Sequence, residues 1–206
     1  VLSVVALKIN ACFLPQQRYL KGLFLWGVMS KRDEEIKRLI HYAKGLGLKV
    51  TMIPGKRGDS SANWSVDGTA IEVFVRGYDS KTSIIMSLIH ELGHHMWFVH
   101  EKDRLPDLKF EDAIARVDKG LINGKVPGKR YRKRVLDVEI AGTKWWKVIY
   151  KDVNIGIPMW KIDMNMEFDV WNYRVWYETG VDATGEERSA KRKELTLKWK
   201  EWKYEE

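Results

Sequence analysis

Apolar residues recur at two different periods along the chain, and the switches between them lay out the elements. Ile36, Leu39, Ile40 and Ala43 follow helical spacing between Ser30 and the glycines at 45 and 47. Ser30 is a natural N-cap there, with Asp33 and Glu34 in the first turn, so a first helix is predicted. Residues 48–53 (LKVTMI) read as a short strand ended by Pro54, and a Gly/Ser-rich loop runs from Gly55 to Ala62. In NWSVDGTAIEVFVRG, Asp67-Gly68 separates two β-prone runs and predicts a hairpin with a two-residue turn. Ile71, Val73 and Val75 alternate with Glu72, Phe74 and Arg76, so one face of the second strand belongs to the core.

The period then returns to that of a helix. KTSIIMSLIHELGHHMWFV carries Ile85, Leu88, Leu92 and Met96 on one stripe, with Ser80 or Thr82 as cap, and predicts a buried helix. Pro106, Gly120, Gly124, Pro127 and Gly128 punctuate the following stretch. After the basic run Lys129 to Arg134, the residues Val135, Val138, Gly142, Trp145 and Ile149 alternate spacings of three and four, which predicts one continuous helix. Pro158 separates it from a Trp/Met-rich helix at 160–178, and a charged helix at 185–204 ends the pattern.

Composition narrows the class. A chain of 206 residues with 45% hydrophobic residues is enough for one domain with appendages. Ten Trp, eight Tyr and six Phe point first to a packed aromatic core. Cys12 is the single cysteine, which excludes an internal disulfide framework and a Cys-rich zinc finger, leaves His and carboxylates as metal ligands, and fits a reducing, cytoplasmic setting. The net charge of +8 is spread along the chain and mixed with 28 acids, a weak pointer to anionic partners. Residues 1–28 are apolar but broken by Lys8, Asn10, Pro15 and Arg18; they are too short to span a bilayer and lack the features of a secretory signal. The expected plan is an N-terminal extension at 1–28, a functional domain at 29–180 beginning at Met29, and a charged C-terminal helix at 181–206, with no membrane association.

The chemistry is concentrated in His90-Glu91-Leu92-Gly93-His94. Residues four apart lie one turn apart on a helix, so both imidazoles reach one metal ion, while Glu91 sits beside a metal-held water as general base. Gly93 leaves a gap through which another backbone can approach. A third ligand is required, and two residues offer it. His100 stands where the metzincin pattern has its last histidine, but Trp97 replaces the glycine that turns the chain there. Glu139 lies on the later helix beside an apolar stripe suited to packing on the HExxH helix, and Gly142 one turn on allows close approach. Glu139 is the better candidate.

SLIHELGHH followed by DVEIAGTKWWKVIYKDVNI resembles the ImmA/IrrE-like and phage-encoded gluzincin metallopeptidases, which carry an HELGHH helix and then a helix of the form ExxAWxxGxxxAxxxxI. The likeness covers residues 30–155 in order of elements and departs from the pattern at Gly142, Thr143 and Trp146. It implies one zinc ion per chain held by His90, His94 and Glu139, with Glu91 as base. It also implies an α+β zincin-like metallopeptidase domain, in which a small sheet packs on the HExxH helix and further helices complete the core. The expected activity is hydrolysis of a peptide or protein substrate, held in extended form on the strand edge near Ile71 to Val75. Relatives of this kind often act on regulators such as repressors, and many come from phages or mobile elements, which would place the protein in a host cytoplasm. The alternative is a non-catalytic nucleic-acid or protein-binding module with a structural metal or none.

Other polar residues are expected in lesser roles. His95, one step from His94, turns about 100° away and reads as core or as a support to the site; Asp137 faces away from Glu139. Tyr131 and Tyr150 are candidates to stabilise an oxyanion. The run Lys129 to Arg134 is a possible phosphate contact, but a solvated helix start is the favoured reading.

Overall fold

The structure, a computed structural model, describes residues 30–56, 62–65, 67–77, 79–101 and 124–202. The extension at 1–28, the proposed start at Met29 and the punctuated stretch around Pro106 and Gly120 lie outside the described residues. The elements run α1 (Lys31–Gly45), β1 (Lys49–Pro54), β2 (Ala62–Trp64), β3 (Ala70–Val75), α2 (Lys81–Glu101), α3 (Lys129–Thr143), α4 (Trp146–Asp152), α5 (Met159–Thr179) and α6 (Gly185–Trp202). This is an α+β fold with a small three-stranded sheet. Among the described residues no helix is long and apolar enough to cross a membrane.

Helix α1 starts as its sequence dictates. The Ser30 hydroxyl accepts from the Asp33 backbone N–H, and the Asp33 carboxylate accepts from Ser30, which closes a capping box. Lys81 at the start of α2 donates to the same carboxylate at 2.6 Å and ties the two helix starts together. Ile36, Leu39 and Ala43 are buried against the core. Gly47 then takes φ +83°, a backbone conformation that L side chains rarely adopt, and the chain reverses into β1.

The sheet order is β1-β3-β2, with β1 parallel to β3 and β2 antiparallel to it. Ile71 and Val73 are fully buried, as their alternation predicts. Two expectations are corrected here. The hairpin is present, but its connection runs from Ser65 to Ala70, where the Ser65 N–H donates to the Ala70 carbonyl, so it is longer than a two-residue turn. The Ser65 hydroxyl accepts from Thr69 and Ala70, and Asp67 accepts from Thr69, which supplies the extra loop with its own bonds. The strand Ile71 to Val75 is not an edge. Parallel pairing with β1 along its whole length and antiparallel pairing with β2 over residues 71–73 occupy both sides of Ile71 to Val73, which leaves that part of the strand no free edge for an extended peptide.

Among the described strands, the edge strand nearest the HExxH helix is β2. Ser65 and Ala70 form a hydrogen-bonded pair, and antiparallel pairs alternate, so Ala62 and Trp64 turn their backbone polar groups away from β3.

Helix α2 carries Ile85, Leu88 and Leu92 at 0% exposure and packs on the sheet and on α1 and α3. Its N-cap is Ser80, whose hydroxyl accepts from the Ser83 N–H. The single helix predicted through Ile149 is in fact two. The Trp145 N–H bonds to the Gly142 carbonyl, a tightened turn that ends α3, and α4 resumes at Trp146. The break rotates Trp146 to 1% exposure, while Trp145 is only partly buried. Helix α5 packs on α3, and α6 lies on α5 through the fully buried Leu195, with Arg192 over the Phe168 ring and Lys198 paired to Glu167.

Candidate metal centre

The centre forms where α2 crosses α3, and two glycines set the distance of approach. A Cβ on Gly93 would stand 2.6 Å from the Gly142 carbonyl oxygen, and one on Gly142 would stand 3.0 Å from His94 Nδ1. Each missing side chain is therefore occupied by the opposite helix, as the small residues at 93 and 142 suggest from sequence. The crossing brings Glu139, on the inner face of α3, against the one-turn pair His90 and His94.

The three donors form a tight triangle. His90 Nε2 and His94 Nε2 are 3.0 Å apart, and Glu139 Oε2 lies 3.4 Å from the first and 3.3 Å from the second. This group could hold a metal ion. Glu139 is 6% exposed, and among the described residues its Oε2 has no hydrogen-bond partner. An orphaned buried carboxylate oxygen aimed at two imidazole nitrogens is costly unless a cation lies among them.

The electrostatics separate the two glutamates. Burial works to raise Glu139, but His94 and His90, with help from the Tyr173 hydroxyl, hold it below the usual carboxylate range. Burial dominates at Glu91 and pushes it up, against His90 and His94 and with Glu139. One carboxylate is thus kept ionised and the other made more basic, which suits a ligand beside a proton acceptor. Burial opposes charge on His90, yet Asp169, Glu91 and Glu139 outweigh it and raise its pKa to about 10. The surroundings therefore favour positive charge at the triangle.

Around these groups stand residues that sequence reasoning missed. Asp169 and Tyr173 reach in from α5: Asp169 Oδ2 is 3.7 Å from His90 Nδ1, and Tyr173 faces Glu139. Trp146 sets its ring edge against His90, with centroids 5.5 Å apart. The Trp64 backbone N–H at the β2 edge donates to the Glu91 carboxylate, a small contribution against the burial that raises its pKa. A signal for the α5 pair exists in the sequence. Ile162, Met166, Asp169, Tyr173 and Trp176 alternate spacings of four and three, so two polar residues sit on a core-facing stripe.

The remaining candidates fall elsewhere. Helix α2 continues unbroken through Glu101, and His100 is exposed on it, stacked on Trp145 with centroids 5.0 Å apart, so it is not brought to the triangle. His95 is 5% exposed against the Trp64 ring, and burial lowers its pKa, which makes it a core residue. Asp137 pairs with Lys133 on the outer face of α3. Tyr150 donates to the Ile157 carbonyl, and Tyr131 lies two turns from Glu139, about 12 Å along the axis, so neither approaches the centre. In the basic run, Lys129 pairs with Glu178, and Arg132 is buried, donating to the carbonyls of Tyr177 and Pro127. Those cations join α3 to the end of α5.

Compared with models of known families, with curated proteins and with solved structures, the chain finds no match.

Proposed function

We propose that the protein is a zinc metallopeptidase. The observation that carries this reading is the donor triangle of His90, His94 and Glu139, with sides of 3.0, 3.3 and 3.4 Å. Zinc bonds of about 2.0–2.1 Å in tetrahedral geometry space the ligand atoms about 3.3 Å apart, and the spacing of the three donor atoms supports the reading. Two imidazoles and one carboxylate are also a donor set that leaves the fourth position open for water or substrate. When bound, the ion would polarise the scissile carbonyl and lower the pKa of water towards about 7.

The protein's part is to place and move protons. Glu91, buried and raised in pKa beside the triangle, takes a proton from the attacking water and passes it to the amine as the C–N bond breaks. The β2 edge lies against Glu91, to which the Trp64 N–H is committed, and the outward backbone groups of Ala62 offer an extended peptide a place to pair alongside. This edge replaces the β3 strand in that role.

Elemental analysis of the purified protein tests the ligand set. About one zinc per chain is expected in the native protein and in His100→Ala, and none in Glu139→Ala. A peptide-library digest then tests the reaction. Glu91→Gln should keep its zinc and lose at least about a hundredfold in cleavage rate. Native protein that retains no zinc after purification in zinc-containing buffer would sink the proposal, and so would a Glu91→Gln variant of undiminished activity.

A further inference from the structure

Helix α5 carries two polar residues one turn apart, Tyr173 packed against the core and Asp169, partly exposed, at the margin of the same stripe. Each meets a different member of the triangle, Asp169 at His90 and Tyr173 at Glu139. The two His90 nitrogens face opposite ways. Nε2 points into the triangle, 3.0 Å from His94 Nε2, while Nδ1 points out towards Asp169 at 3.7 Å. That separation is an ion-pair distance, and a small turn of either side chain closes it to a hydrogen bond. Asp169 is thus on the wrong side of the ring to be a fourth ligand.

A neutral imidazole has one N–H and one lone pair. An acceptor at Nδ1 holds the proton there and leaves the lone pair on Nε2, where the triangle needs it. The same carboxylate also fixes the ring plane. We infer that Asp169 is a positioning residue that sets the tautomer and orientation of His90 for metal binding, with Tyr173 steadying the Glu139 carboxylate in the same way. This inference rests on the zinc reading above. It adds that the affinity of the site is set partly from α5, an element whose sequence holds no ligand.

The test is zinc affinity, measured on metal-free protein by competition with a chromophoric chelator. The variants are Asp169→Ala, Asp169→Asn, Tyr173→Phe and, as a control on the same helix, Asp163→Ala, whose partner is Lys147. Asp169→Ala should bind zinc about 10–100-fold more weakly than the native protein. Asp169→Asn, which keeps an acceptor without the charge, should fall between them, Tyr173→Phe should lose less than Asp169→Ala, and the control should not change. Cobalt(II) substitution adds a readout that a merely structural role would not move. Its visible absorption bands should shift in Asp169→Ala and stay native-like in Asp163→Ala.

Native affinity within about twofold in Asp169→Ala overturns the inference while leaving the zinc reading intact. If instead the native protein binds zinc no better than His94→Ala, the zinc reading and this inference fall together. Should Asp169→Ala not fold, as judged by circular dichroism of the metal-free protein, Asp169→Asn decides the matter by the same criterion.

Discussion

Replacing Gly93 by alanine adds one methyl group at the place where α2 and α3 touch. Its carbon would fall 2.6 Å from the Gly142 carbonyl oxygen and 2.9 Å from Cδ1 and Nε1 of Trp146. Neither neighbour can yield cheaply, because one is helix backbone and the other an indole that is 1% exposed. Ordinary contact begins at 3.4 Å, so the helices must part by roughly 0.8 Å. Overpacking of this kind costs about 1–3 kcal/mol, and in a chain of this size each kcal/mol lowers Tm by about 2–4 °C.

The displacement also reaches the triangle, since Gly93 adjoins His94 and Gly142 lies three residues beyond Glu139. Metal–ligand distances tolerate only about 0.2 Å, so zinc affinity should fall by at least about tenfold. Thermal unfolding of the metal-free protein isolates the packing cost, and chelator competition reads the affinity. Gly45→Ala is the control: among the described residues a Cβ there meets nothing within 4 Å, and alanine is favoured over glycine in a helix by about 1 kcal/mol, so its Tm should hold or rise. A Gly93→Ala protein with native Tm and native zinc affinity would refute the claim that the missing Cβ sets the site.

Two further expectations test the frame around the centre. Hydrogen bonds from Lys81 and Ser30 hold the Asp33 pKa below its ordinary value of 3.8, so its stabilising contribution is present above that pH and is lost as pH falls through the lowered folded value. Asp33→Ala should therefore be less stable than native by about 1 kcal/mol from neutral pH down to about pH 4, and urea unfolding should show the gap closing only below that; a gap that closes near pH 6 would contradict the assignment. Arg132→Ala removes the buried guanidinium that joins the Tyr177 and Pro127 carbonyls, and should cost about 1–3 kcal/mol in urea unfolding. Arg132→Lys should not restore it, because an ammonium lacks the planar fork that reaches both carbonyls.

The helices and the pairing of His90 with His94 were legible because their determinants are local. Ser30 and Asp33 close a capping box within one turn, and His90 and His94 share a face by helical period alone. The sheet order was not legible in the same way. The hairpin signal joins β2 to β3 but does not specify where β1 pairs, and parallel pairing of β1 on the free side of β3 is what moves the open edge to β2. The break before Trp146 was hidden for another reason. The apolar spacing continues across it to Ile149, and only the tertiary gain from burying Trp146 against His90 and Gly93 sets the two helices apart.

Glu139 stands between these cases. Nothing within its own helix marks it as a member of the His90–His94 cluster, but two glycines do so indirectly. Glycine inside a helix costs about 1 kcal/mol against alanine, so Gly93 on α2 and Gly142 on α3 each pose the question of what offsets that cost. The offset is mutual, since each glycine makes room for the other helix, and one turn before Gly142 the chain carries a carboxylate. The same reasoning extends to α5. On a stripe that otherwise reads Ile162, Met166 and Trp176, a buried phenol would weaken the packing if nothing polar faced it, and the partly exposed Asp169 beside it calls for the same explanation. His90 and Glu139 are what they face. Conflict with the local rule, in a helix glycine or in a polar residue on a core stripe, is therefore the sequence-level trace of a site assembled from distant elements.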